Sequence, residues 1–66
     1  MRVSEWLSKI MEKNELSAYG LTKITGIPTA SIYRWLRSQR FPKHKFIQKI
    51  SIALNEPIPT DLEELK

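Results

Sequence analysis

Apolar side chains at Val3, Trp6, Leu7, Ile10 and Met11 recur three and four residues apart, the spacing that gathers them on one face of a helix. Leu16 and Ser17 then read as a second helix entry. The Ser17 hydroxyl can cap, and Leu16 can pack on Leu21 as a hydrophobic staple. This helix is expected to run to about Ile24 and to stop at Gly26, since glycine adopts a left-handed cap without steric cost. Pro28 and Thr29 open a third helix, because proline is tolerated at a helix start. It continues through Ile32, Trp35 and Leu36 and ends near Ser38, ahead of Pro42. A fourth helix is expected over about residues 43–54, burying Phe46, Ile47, Ile50, Ala53 and Leu54, with Asn55 as its left-handed cap. After Pro57 and Pro59, the run Thr60-Asp61-Leu62-Glu63 has the form of a capping box. It predicts a short acidic helix over about residues 60–65, with Leu62 and Leu65 on one face. No strand, repeat or linker pattern is present. The expectation is therefore an all-α, compact single domain of five short helices over residues 1–66.

At 66 residues a single core is close to the minimum that folds without staples, so nearly every large apolar side chain should be internal. The chain has no cysteine, which excludes a disulfide framework and thiolate metal sites. No apolar run approaches a membrane span, and the first residues lack a signal-peptide apolar region. A cytoplasmic protein is the expectation. One histidine, no glycine-rich phosphate loop and carboxylates confined to the two ends leave no catalytic triad, dyad or metal cluster. Neither an enzyme nor a cofactor is expected.

Charge changes the picture more by its distribution than by its sum of +4. Up to Thr22, Arg2, Lys9 and Lys13 balance Glu5, Glu12 and Glu15. From Lys23 to Lys49 there are seven basic residues, Lys23, Arg34, Arg37, Arg40, Lys43, Lys45 and Lys49, and no acid. The remaining residues reverse sign, with Glu56, Asp61, Glu63 and Glu64 against Lys66. A one-sign block within an ordered chain fits either a polyanionic partner or a solvated basic face.

The second and third helices lie only a few residues apart. Ser17-x-x-x-Leu21-x-x-x-x-Gly26-Ile27-x-x-x-x-Ile32-x-x-Trp35, followed by Arg40-x-Pro42 and Ala53-Leu54, resembles the phage-repressor and Cro type of helix-turn-helix (lambda-repressor-like, XRE-type), without a gap from about Leu7 to Leu65. The resemblance implies that residues 17–37 form the helix-turn-helix and that the outward face of residues 29–37 lies in the major groove of duplex DNA. Ile27 would plug the angle between the helices, and Ile32 and Trp35 would anchor the third helix. By position, Thr29, Ala30, Tyr33 and Arg34 become the candidate base readers.

Arg34 can donate two hydrogen bonds to guanine O6 and N7, or contact a phosphate. Thr29 and Ala30 carry methyl groups that suit a thymine methyl, although Thr29 can instead cap its helix. Tyr33 can meet the DNA backbone or pack on the turn. Candidate phosphate contacts are Ser17, Tyr19, Arg37, Arg40, Lys43, His44 and Lys45, grouped around helix starts whose free N–H groups favour anions. His44 is either a plain surface residue or a phosphate donor. Trp6 and Trp35 read as core; Phe41 covers the core edge or meets a protein.

The chain departs from the family pattern at several places. Ala18 stands where the family commonly has a bracing glutamine, Thr22 where alanine is usual, and Thr25 where an aliphatic is usual. Gly20 loosens the second helix by about 1 kcal/mol relative to alanine. The function implied by the resemblance is a sequence-specific transcriptional regulator. It would be a homodimeric repressor on a palindromic operator, nucleoid-associated when bound, with no small-molecule ligand. An antitoxin or adaptor that engages a protein, and a DNA-bending recombination accessory factor, are the alternatives on the same fold. Leu62 and Leu65 would either close the core over the first helix or form the dimer contact.

Overall fold

In a computed structural model, which describes residues 1–63, the periodic stretches fold as four α-helices: α1 (Val3–Lys13), α2 (Ala18–Thr25), α3 (Thr29–Leu36) and α4 (His44–Leu54). No strand occurs among the described residues. The α1 stripe is buried throughout, at Val3, Trp6, Leu7, Ile10 and Met11. It meets Leu21, Ile27, Ile32, Trp35, Ile47 and Ile50 in one core. α3 packs on α1 and α2, and α4 leans chiefly on α2.

The local signals act where the sequence places them. The Ser17 Oγ accepts from the Gly20 N–H at 3.0 Å and caps α2. A Cβ on Gly20 would come within 3.3 Å of the Leu16 Cδ2 and 3.4 Å of that same Oγ. Glycine therefore leaves room for the leucine that folds over the helix start. α2 ends at Gly26, whose φ of 79° is left-handed, and the Gly26 N–H donates to the Thr22 carbonyl at 2.7 Å. Thr25 is buried yet satisfied: its hydroxyl donates to the Leu21 carbonyl at 2.8 Å and accepts from the Ile27 N–H at 3.2 Å. The Thr25 hydroxyl thus ties down an amide within the turn. Asn55 takes the left-handed cap of α4, and Glu15 and Ser38 take the corresponding places after α1 and α3.

Two expectations are corrected. Residues 60–63 form no helix: Thr60 and Asp61 make a turn, closed by the Leu62 N–H on the Pro59 carbonyl at 3.3 Å. The next amide, Glu63 N–H, donates to the Met1 carbonyl at 2.8 Å, and the Met1 ammonium donates to the Asp61 carbonyl and carboxylate. The Asp61 carbonyl, which a helix would use as the acceptor for the amide four residues on, is thus taken by the far end of the chain. Leu62 packs against the core; Leu65 lies outside the described residues. Ala53 is exposed instead of buried. The α4 stripe is Ile47, Ile50 and the half-buried Leu54, and Ala53 lies on its flank.

Candidate nucleic-acid interface

α2 and α3 are joined by residues 26–28, and this three-residue reversal fixes what α3 presents outward. Ile32 and Trp35 are buried and hold the helix from beneath. Ala30, Tyr33, Arg34 and Arg37 are exposed, and Thr29 is half-buried. Pro28 is the N-cap residue, so Thr29 does not cap α3. Its hydroxyl instead lies 2.8 Å from that of Thr22, a direct bridge between the two helices. Thr22, in the position where an alanine was the expected type, supplies a link across the turn that Ala18 cannot.

All seven cations of the acid-free block are exposed. The ion pairs among the described residues, Met1 with Asp61 and Lys13 with Glu56, involve none of them. Three converge. Arg34, with Ser31, on α3 and Arg40 and Lys43 in the following loop line an open cleft of about 310 Å³, walled by Trp35, Phe41, Pro42 and Phe46. Trp35 and Phe46 stack obliquely, with ring centroids 5.7 Å apart, so the aromatic wall is held by the core. None of the described carboxylates pairs with them; like charges so gathered repel one another, and an anion in the cleft relieves that repulsion.

The start of α4 strengthens the same tendency. Lys43 is its N-cap and makes no side-chain cap bond, and the first turn holds no acid. The amides of His44 and Lys45 have no backbone acceptor among the described residues, so the positive end of the helix points free N–H groups outward.

The other candidates stand apart from the cleft. Lys45 lies over the Phe46 ring at 5.2 Å and lines a separate hollow with Gln48, Lys49 and Ile52. Arg37 lies over the Tyr33 ring at 5.4 Å, and Tyr33 is 46% exposed. Tyr19 is paired in the same way with Lys23 at 5.5 Å on α2. Ser17 is a cap whose hydroxyl proton remains available to a ligand. Phe41 is half-buried and belongs to the cleft wall.

No family model, curated protein or solved structure matches the chain.

Sequence reasoning missed Ser31 and Thr22. Ser31 stands three residues before Arg34, the spacing of one helical face, which was the available signal. Thr22 gave none, since its partner Thr29 lies beyond the turn. No helix among the described residues is long and apolar enough to cross a membrane. No three of His, Cys, Asp or Glu come together there as a metal cluster.

Proposed function

We propose that this chain is a sequence-specific DNA-binding regulator of the phage-repressor and Cro type, with α2 and α3 as its helix-turn-helix and α3 in the major groove. The observation that carries the reading is the gathering of Arg34, Arg40 and Lys43 on the cleft beside α3, with no carboxylate partner among the described residues. Ala30, Tyr33 and Arg34 face outward from a helix anchored on its other side, which suits reading of base edges. Ser17, Tyr19, Arg37, Arg40, Lys43, His44 and Lys45 are all exposed and are assigned to phosphates. The protein acts without a cofactor or catalytic step, as a homodimer on two half-sites, and represses by covering a promoter.

Selection of bound sequences from a random duplex pool tests this. The expected result is a half-site repeated at about one helical turn, bound far more tightly than random DNA at physiological salt. Arg34→Ala should lose roughly 1–3 kcal/mol of discrimination at one guanine. Equal affinity for selected and random DNA would sink the reading.

A second reading, an adaptor or antitoxin that binds a protein, is favoured by Ile52, which is 81% exposed on α4 beside Lys45, Phe46 and Lys49. It predicts that Ile52→Asp abolishes function while Arg34→Ala leaves it intact. The inward turn of Glu56, which is buried against Lys13 and Asn14, removes that carboxylate from any acidic docking surface.

A further inference from the structure

The hydroxyl bridge between α2 and α3 has a direction. Thr22 Oγ1 lies 3.1 Å from the Ala18 carbonyl oxygen and 2.8 Å from Thr29 Oγ1. A carbonyl oxygen only accepts, and a hydroxyl carries a single proton. The Thr22 proton is therefore committed to Ala18, so Thr22 Oγ1 accepts in the second bond and Thr29 is its donor. The relay runs from the Thr29 hydroxyl to the Thr22 hydroxyl to the Ala18 carbonyl.

Once its proton is spent, Thr29 has only lone pairs left to offer a ligand. It accepts no hydrogen bond of its own among the described residues, and it occupies the first position of α3, half-exposed. We infer that Thr29 acts as an obligate hydrogen-bond acceptor at the DNA, and that Thr22, without touching DNA, fixes this polarity as a positioning residue. In the major groove the exocyclic donors are adenine N6 and cytosine N4, whereas guanine O6 and N7 and thymine O4 only accept. The base facing Thr29 is therefore adenine or cytosine, and guanine or thymine would set one acceptor against another. This inference rests on the DNA-binding reading above and adds to it a base class at one position.

Two measurements keep the relay and the DNA reading separable. On the free protein, NMR should detect a Thr29 hydroxyl proton in slow exchange, close to Thr22. Thr22→Val, which keeps the shape and removes the acceptor, should abolish the signal, and Thr22→Ser should retain it. On DNA, competition between duplexes that vary one base pair of the selected site should give roughly three- to tenfold preference for adenine or cytosine at the Thr29 position, the range of one hydrogen bond. Thr29→Val locates that position by flattening it. Thr22→Val should flatten the same position while preferences elsewhere in the site persist, and Thr22→Ser should restore it. Because adenine or cytosine on one strand is always thymine or guanine on the other, the amine itself decides: purine in place of adenine, or 2-pyrimidinone in place of cytosine, at that position should weaken wild-type binding roughly three- to tenfold and leave Thr29→Val unchanged. Unchanged wild-type affinity for the amine-free duplex would overturn the inference, as would an unchanged preference in Thr22→Val. So would a Thr29 hydroxyl with no protection in the free protein. If the relay is seen by NMR but the wild-type protein shows no sequence preference, the regulator reading fails, and the base assignment falls with it.

Discussion

At Gly26 the chain leaves α2 with φ 79°, and a Cβ built there meets nothing within 4 Å. Substitution is therefore opposed by backbone conformation alone, without a steric neighbour. Gly26→Ala should lower stability by about 1–2 kcal/mol, the cost of the left-handed region to an L-residue. Urea denaturation would show it as a lower midpoint with an unchanged slope. Lys43 is a second residue whose effect is separable. Its charge stands at the rim of the cleft and at the start of α4, and Lys43→Gln should reduce the salt slope of DNA binding by about 1 without changing the selected sequence. An unaltered slope would remove it from the phosphate contacts. Positions such as Gly26 and Ser17 were legible because each is set by its own backbone. The role of Thr22 was not, since a threonine in a helix acquires its hydroxyl partner only when a second helix arrives.

Among the elements, α2 is short and carries a glycine, so its first turn depends on the Ser17 cap and the Leu16 side chain folded over it. Ser17→Ala should cost about 1 kcal/mol, seen as a fall in melting temperature of roughly 4–8 °C for a domain of this size. Melting temperature within a degree of wild type would mean that water replaces the cap at no cost. The four helices themselves were readable because helical periodicity and capping chemistry are local. The expected helix at residues 60–65 came from an equally local signal, yet Thr60-Asp61-Leu62-Glu63 folds as a turn bonded to Met1. Contacts sixty residues distant override a capping box that has only one turn behind it. Ala53 failed for a related reason: periodicity assigns a face, but burial also needs an element to cover it.

Across the whole molecule, two clasps connect the start of the chain to its later part. Lys13 and the C-cap residue Asn14 hold the buried Glu56 at 3.3 and 3.2 Å, and the Met1 ammonium holds Asp61. The hydrogen bond from that ammonium, then its charge, keeps the Asp61 carboxyl below the ordinary carboxylate value. A depressed folded-state value means that the clasp contributes fully above the unfolded value of about 3.9. The contribution is lost as pH falls through the lower folded value. The stability difference between wild type and Asp61→Asn should therefore be constant from neutral pH to about pH 5 and close at lower pH. A difference that stayed constant down to pH 2 would show that the carboxylate makes no such contribution. The cationic cleft was half legible at this scale. The sequence supplied the acid-free block, but only the fold could show that Arg34, Arg40 and Lys43 share one hollow while Lys45 and Arg37 turn to aromatic rings.

The bond from Glu63 to Met1 also means that the chain comes back to where it began. The described ends are hydrogen-bonding neighbours, so a short peptide tether could close the backbone into a ring without moving a helix. In the chain-entropy treatment of a cross-link, a closure of this span restricts the unfolded chain by an amount on the order of 4 kcal/mol. The same adjacency frees the topology from its native order. New ends could be opened in the exposed residues between α3 and α4 or between α1 and α2, and comparing such permuted chains would show which of the two loops the proposed DNA-binding surface needs intact.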